Sequence, residues 1–180
     1  LCRPGHSYPA GVALFRRWCE ERVPALRGRG GGDAPQPPGV VLDVPAHLPD
    51  AFIPDDETKL DLYRRLARAS APGDIDELRA ELRERFGPLP PEADALLDMG
   101  RLRAIGAVLG LQHVLVRGDE ARLTFRQGAT PRMAGLTQAL DDVQLGAEVR
   151  RTVPLSLRLV RLGGEGLVPS LVRALRQVAV

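Results

Sequence analysis

The middle of the chain carries apolar residues at helical spacing, separated by charged positions. This pattern predicts three successive amphipathic helices, over about residues 56–69, 74–86 and 92–109. Because each helix has one apolar face, we expect the three faces to pack together into a helical layer. The positions that follow this spacing are Leu60, Tyr63, Leu66, Ala67, Ile75, Leu78, Leu82, Phe86, Leu96, Leu97, Leu102, Ile105 and Leu109.

The ends of these helices are marked by capping residues and prolines. Asp55 is the expected N-cap of the first helix, since it follows a proline-containing stretch that cannot be helical. Asp74 is the expected N-cap of the second helix, with Glu77 three residues later as its capping-box partner. Gly87 is the expected C-cap of that helix, and the prolines after it predict a rigid turn.

After Gly110 the sequence changes from a helical period to alternation of apolar and polar residues, which predicts strands. The residues Gly118 and Asp119 predict a hairpin turn. The elements outside the helical layer are a strand over 40–44, a hairpin over 112–116 and 121–126, a helix over 130–140, strands over 147–153 and 155–162, and a last helix over 167–178. We therefore predict an α+β fold, with a three-helix layer, a small mostly antiparallel sheet and a C-terminal helix.

A glycine- and proline-rich segment over 28–39 divides the chain, because such a composition cannot build a packed core. We assign residues 1–27, which include a predicted helix over 9–26, to the end of a preceding domain. Residues 40–180 are assigned to the C-terminal domain. The sequence starts with leucine instead of methionine, so we expect it to be a piece of a longer protein.

The net charge of +2 is unevenly distributed along the 180 residues. Residues 1–32 carry six arginines and two acidic residues, and residues 101–180 carry twelve arginines and six acidic residues. Residues 40–100, in contrast, carry seven basic and fourteen acidic residues. An acidic segment between basic flanks favours contact with a basic protein surface over direct binding of phosphates.

The sequence contains no arrangement typical of an enzyme or a metal centre. The glycine run over 28–32 lacks the Gly-Lys-Ser/Thr of a phosphate-binding loop. The spacing of Cys2, His6 and Cys19 matches no compact zinc module, and a fourth ligand is missing. His47 and His113 stand alone, and no catalytic triad is recognisable. We therefore expect this fragment to have no catalytic residue, no metal and no cofactor.

The location of the protein follows from what the sequence lacks. Two cysteines in a chain with no secretory segment are typical of reduced thiols. No apolar run reaches the roughly 20 residues that a membrane-spanning helix needs. We therefore expect a cytoplasmic protein that does not contact a membrane.

Two charged surfaces allow more than one interpretation. Glu77, Glu81 and Glu84 share one helical face, interleaved with arginines, so they are a solvated face or an acidic docking patch. A catalytic role is the third alternative and would need a pocket that shifts their pKa values. Arginines concentrated over residues 150–161 leave open a nucleic-acid-binding accessory domain that uses an Arg-rich sheet. Aromatic residues, which such platforms usually interleave with arginine, are missing there.

Several ordered motifs resemble a known family, the C-terminal domain of bacterial transcription-repair coupling factors. The resemblance is strong over residues 40–126. The matching runs are Leu48-Pro49-Asp50-Ala51-Phe52-Ile53-Pro54-Asp55, Leu62-Tyr63-Arg64-Arg65-Leu66 and Glu81-Leu82-Arg83-Glu84-Arg85-Phe86-Gly87-Pro88-Leu89-Pro90. Within these runs, the residues taken as the structural motif are Phe52, Pro54, Asp55, Tyr63, Arg64, Arg85, Phe86, Gly87 and Pro90.

The resemblance implies a function that the residues alone do not. Full-length members are expected to be ATP-dependent double-stranded DNA translocases that displace stalled RNA polymerase and recruit UvrA for nucleotide excision repair. ATP and magnesium would bind the motor, which lies upstream and is absent here, and residues 11–27 resemble the helix that leaves that motor. The C-terminal domain is expected to act as an autoinhibitory clamp that masks the UvrA-binding module. Glu81 and Glu84 match acidic residues that face basic residues of that module.

Overall fold

The computed structural model describes residues 36–129, 131–150, 153–163 and 165–179. The described elements are β1 (Gly39–Leu42), α1 (Asp56–Arg68), α2 (Pro72–Phe86), α3 (Pro91–Val108), β2 (Leu111–Arg117), β3 (Glu120–Phe125), α4 (Met133–Asp142), β4 (Leu145–Arg150), β5 (Ser156–Arg161) and α5 (Leu167–Val178). The predicted α+β class is confirmed. The predicted helix over 9–26, and the segment before residue 36, lie outside the described residues.

The sheet has five strands in the order β1-β2-β3-β5-β4. Strand β1 pairs with β2 in parallel, and every other neighbouring pair is antiparallel. The parallel pair requires a long connection between its two strands, and the three-helix layer provides it. The predicted hairpin corresponds to β2 and β3.

Two clusters of buried side chains hold the domain together, and α3 contributes to both. The first half of α3, up to Leu97, packs with α1, α2 and the loop residue Ile53. Its second half, from Leu102, packs with the sheet, α4 and α5. Each fully buried aliphatic side chain in these clusters contributes about 1.5–3 kcal/mol relative to exposure. The shared helix therefore fixes the helical layer to the sheet.

The start of α2 differs from the sequence-based prediction. The helix begins at Pro72, so Asp74 is not its N-cap but lies in its first turn. The Asp74 carboxylate accepts hydrogen bonds from the backbone amides of Ser70 (2.9 Å) and Ala71 (3.0 Å). Proline has a fixed φ suited to the first helical position, which explains why the helix starts there. Glu77 is therefore not the partner in a capping box.

The apolar face of α1 was also predicted incorrectly at one position. Leu60 is 45% exposed, whereas Lys59, Leu62 and Leu66 are buried. Lys59 can be buried because its ammonium group donates a hydrogen bond to the Asp50 carboxylate. The observed buried face of α1 is therefore offset by one residue from the predicted face, with Lys59 in place of Leu60.

Element boundaries in the second half differ by a few residues. Helix α4 spans Met133–Asp142, so it begins three residues later than the predicted start at residue 130. Strand β4 begins earlier than predicted, at Leu145, and ends at Arg150. Helix α5 spans Leu167–Val178, which agrees with the prediction.

A candidate acidic docking face on helix α2

Helix α2 turns its acidic residues away from its buried side. Ile75, Leu78 and Leu82 are buried on one side of the helix. Glu77 and Glu84 are seven residues apart, which is close to two helical turns, and both are exposed. Glu81 lies between them and is partly buried at the boundary with α1. The three predicted acidic residues therefore form one continuous face, which we call the acidic face.

Glu81 is held by two arginines of the same domain. Arg65 of α1 donates two hydrogen bonds to the two oxygens of its carboxylate, with distances of 3.0 Å and 2.5 Å. Arg85, one turn further along α2, donates a third at 2.7 Å. These hydrogen bonds, first from Arg65 and then from Arg85, lower the pKa of Glu81 to about 2. Glu81 is therefore always ionised near neutral pH, but its charge is already compensated.

Glu77 and Glu84 differ from Glu81 in this respect. Within the described part of the chain, neither carboxylate makes a hydrogen bond or an ion pair. Both are therefore available to a cation from outside the domain without loss of an existing contact. The sequence predicts the same partner-binding role for Glu81 and Glu84, and this role stays a prediction, although the two side chains differ in their contacts.

Aromatic contacts fix the end of α2. The Arg85 guanidinium lies 5.0 Å from the centre of the Phe86 ring, and the Phe86 ring centre lies 5.7 Å from that of Phe52. Gly87 follows with φ of 86°, a conformation that favours glycine. These motif residues therefore position the last turn of α2, which carries Glu84.

The loop before α1 is fixed to the helix that follows it. The Asp55 side chain accepts a hydrogen bond of 2.7 Å from the Thr58 amide, which confirms the predicted N-cap. The Leu48 amide donates a hydrogen bond of 2.9 Å to the Tyr63 hydroxyl oxygen. Burial raises the pKa of Tyr63, so this hydroxyl stays neutral. The loop is therefore an ordered part of the helical layer.

The remaining motif residues have structural or undefined roles. The Pro90 carbonyl accepts hydrogen bonds of 3.0 Å from the amides of Ala93 and Asp94, at the start of α3. Pro54 and Arg64 are exposed, and Arg64 makes no ion pair with a described residue. Neither of these two has a contact that explains its place in the motif.

The predicted nucleic-acid arginines are mostly paired within the domain. Arg158 forms ion pairs with Glu120 and with Glu148. Arg161 lies 2.7 Å from Asp119, and Arg150 lies 3.6 Å from Glu148. Because these guanidinium groups already have anionic partners, the region over 150–161 offers less positive charge than its sequence indicates.

A groove of about 490 Å³ lies between α3 and α5, beside Arg79 in the middle of α2. Its carboxylates pair with arginines: Arg79 lies 2.9 Å and Arg101 lies 3.1 Å from Asp98. On its rim, Arg176 lies 3.2 Å from Asp76, whose carboxylate also bonds Arg101. A carboxylate fully engaged with guanidinium groups is poorly suited to general acid–base chemistry. We therefore interpret the groove as part of a helix–helix contact that ion pairs stabilise.

The described residues contain neither a metal-ligand cluster nor a helix suited to crossing a membrane. Among the described residues, no group of three or more histidine, cysteine, aspartate or glutamate side chains is placed to hold a metal ion. Within the described ranges, none of the helices combines the length and the apolar character that crossing a membrane requires. His47 is partly buried in the loop before α1, and His113 is exposed on β2.

Comparisons with known proteins define the family. The TRCF domain matches residues 42–136. The transcription-repair-coupling factor of Escherichia coli K12 is 38% identical over 115 residues, which is 60% of this chain and 10% of the relative. The corresponding protein of Myxococcus xanthus is 33% identical over 136 residues, 71% of this chain and 11% of the relative. That of Mycobacterium tuberculosis CDC 1551 is 32% identical over 180 residues, 90% of this chain and 14% of the relative.

A solved structure agrees in fold. The crystal structure of the C-terminal domain of a transcription-repair coupling factor superimposes with a TM-score of 0.68, at 20% identity, covering 82% of this chain and 92% of that one. The chain is thus an α+β domain of the kind found at the C-terminus of these factors. It belongs to the TRCF domain family, as its sequence motifs predict. The chain spans only 10–14% of the length of these curated relatives.

Proposed function

We propose that this chain is the regulatory domain of a transcription-repair coupling factor and acts as an autoinhibitory clamp. In this proposal, the acidic face binds basic residues of the UvrA-binding module in the parent protein and masks the surface that UvrA recognises. The observation that carries the proposal is the pair of exposed carboxylates, Glu77 and Glu84, which have no partner among the described residues. They lie on a helix whose end is fixed by packing.

The electrostatics of the face support a reversible contact. Exposed ion pairs contribute about 0.2–1 kcal/mol each, so two or three of them would give a latch of a few kcal/mol at most. A latch of this strength can open when the motor engages its substrate. Glu81 would mainly fix the orientation of α2 relative to α1, through its ion pair with Arg65. It would contribute less than Glu77 and Glu84 to the attraction between the two surfaces.

The parent protein would supply the chemistry. ATP and magnesium would bind the upstream motor, and double-stranded DNA, RNA polymerase and UvrA would be partners of the whole protein. For the fragment itself we propose a non-enzymatic role, since the partly buried Asp76 and Asp98 are paired with arginines. The alternative of a nucleic-acid-binding domain has less support, because Arg158 and Arg161 are paired with acidic residues.

Charge reversal in the full-length parent tests the clamp. Glu77→Lys and Glu84→Lys together should increase the affinity of the resting protein for UvrA, by about tenfold or more, because the latch would be repelled instead of attracted. Affinity can be measured by titration calorimetry with purified UvrA. Glu81 is left unchanged, because its replacement would also break ion pairs inside the domain.

A matched control separates this effect from a general change in charge. Asp141 is exposed at the end of α4, so Asp141→Lys makes on another element the same change of charge as either of the two substitutions alone. It should leave UvrA affinity unchanged. If the double variant is folded by circular dichroism and binds UvrA no better than the wild type, the clamp proposal is wrong.

A further inference from the structure

The sheet has one covered face and one uncovered face. Helices α3, α4 and α5 pack against the first, where Val114, Leu123 and Leu157 are buried. Side chains alternate along each strand, so the neighbouring residues point to the opposite face. Within the part of the chain that the structure describes, Arg122 and Val41 on that opposite face are exposed. This second face, which we call the open face, is distinct from the acidic face on α2.

The strand register places five residues of the open face in one row. Val41 pairs with Leu115, and Leu115 pairs with Arg122. Arg122 pairs with Arg158, and Arg158 pairs with Glu148. Neighbouring strands are about 4.8 Å apart, so the row is about 19 Å long. It is aliphatic at the β1 end and charged from the middle onward.

The two arginines at the centre of this row are placed directly opposite each other on β3 and β5. Like charges at such positions destabilise a sheet. Arg158 is compensated by Glu120 and Glu148. Arg122 makes no hydrogen bond or ion pair with any described residue and influences Glu120 only through its electric field. An anion bound at Arg122 would therefore gain an ion pair without breaking one inside the described part of the domain.

The β1 end of the row is aliphatic. Val41 is 58% exposed and lies on the edge strand, next to the partly buried Leu115. Val41 and Arg122 are two strands apart, about 10 Å. Residues i and i+7 of a helix are separated by about the same distance, 10.5 Å. A helix lying across the strands could therefore place an aliphatic side chain on Val41 and a carboxylate on Arg122 together.

We propose that the open face binds a short acidic helix of another protein, with a carboxylate on Arg122 and an aliphatic side chain on Val41 and Leu115. Nucleic acid fits less well, because the described part of this face has no Phe, Tyr or Trp side chain on which bases could stack. The first 32 residues of this chain also fit poorly, since they carry six arginines and only two acidic residues. A basic segment would be repelled by Arg122.

A designed peptide tests the proposal with the complete 180-residue chain. The probe is a fluorescein-labelled helical peptide of about 18 residues, with glutamate and leucine seven positions apart on one face. Fluorescence anisotropy should show binding that weakens as salt rises. Arg122→Ala should weaken binding about fivefold or more, and Val41→Ser should weaken it less. A peptide with glutamine in place of the glutamates should bind no better to the wild type than to Arg122→Ala.

The control is a second exposed arginine. Arg68 lies at the end of α1 in the helical layer, and Arg68→Ala should leave binding unchanged. Circular dichroism checks that each variant is folded. The proposal is overturned if Arg68→Ala weakens binding as much as Arg122→Ala, or if the wild-type chain does not bind the probe. It is also overturned if a duplex DNA of similar length binds more tightly and depends on Arg122, since the surface would then recognise nucleic acid.

Discussion

Glu81 shows how one residue can have a role that its sequence motif does not reveal. Its carboxylate is shared between Arg65, sixteen residues earlier, and Arg85, four residues later. The pairing with Arg85 is recognisable from the helical spacing. The pairing with Arg65 depends on how α1 and α2 pack, which no local pattern encodes. The motif therefore identified an important position, whereas the tertiary contacts decide whether its charge is available.

The lowered pKa of Glu81 predicts a pH-dependent contribution to stability. Its pKa of about 2 lies below the ordinary value of 4.5, so the contribution is complete above about pH 4.5 and is lost as the pH falls toward 2. Glu81→Gln should lower the free energy of unfolding by about 1–2 kcal/mol at neutral pH, after allowance for solvent screening. The difference from the wild type should shrink as the pH approaches 2, which urea unfolding at a series of pH values measures.

Glu84→Gln is the control for this prediction, because Glu84 is exposed and has no ion pair with a described residue. Its free energy of unfolding should follow that of the wild type at every pH. A Glu81→Gln difference of equal size at pH 7 and near pH 2 would show that ionisation of Glu81 has no part in the effect.

At the scale of single elements, the sequence predicted which helices and strands exist better than it predicted where each one begins and ends. Helix α5 was predicted with its observed bounds, because its strong apolar stripe begins after glycines and ends near the terminus. Helix α2 was predicted to start two residues too late, at Asp74 instead of Pro72. Both aspartate at an N-cap and aspartate in the first turn favour helix starts, so the sequence alone could not separate them. The Asp74 carboxylate accepts hydrogen bonds from the backbone amides of Ser70 and Ala71, which places Asp74 in the first turn and not at the N-cap.

The two glycines at the ends of α2 allow opposite predictions for the same substitution. Gly73 is an exposed residue of the first turn, and a methyl group there would contact nothing within 4 Å. Gly73→Ala should raise the free energy of unfolding by about 0.5 kcal/mol through helix propensity and reduced freedom of the unfolded chain. Gly87 also has open space, but its φ is 86°. Gly87→Ala should lower the free energy of unfolding by about 1–2 kcal/mol.

Chemical denaturation of the two variants measures both effects under one set of conditions. Because steric space is similar at the two glycines, backbone conformation is the property that distinguishes them. Equal effects of the two alanines, in either direction, would contradict the observed end of α2 at Gly87.

At the scale of the whole domain, the helical layer and the sheet are joined covalently, by packing and by charge. Helix α3 contributes to both buried clusters. Asp76 of α2 also pairs with Arg101 of α3 and Arg176 of α5. Burial alone would raise the pKa of Asp76, but the two arginines outweigh it and lower the pKa. This network links the helix that carries the acidic face to the layer that carries the open face. We therefore expect the acidic face to be presented on a rigid support.

The candidate site was only partly predictable for a related reason. The acidic middle of the chain and the positions of Glu77 and Glu84 follow from the sequence. The pairing of Glu81 with Arg65, and the pairing of Arg158 and Arg161, do not, because these partners come from other elements. A charge count along the chain cannot distinguish a paired side chain from an unpaired one.

The most direct test of the clamp uses two separate molecules. The 180-residue chain is titrated with the isolated UvrA-binding module of the same parent protein, and the dissociation constant is measured by calorimetry at low and moderate salt. We predict salt-sensitive binding that Glu77→Lys together with Glu84→Lys weakens about tenfold or more, while Asp141→Lys has no effect. Absence of binding, or equal binding by the wild type and the folded double variant, would contradict the account.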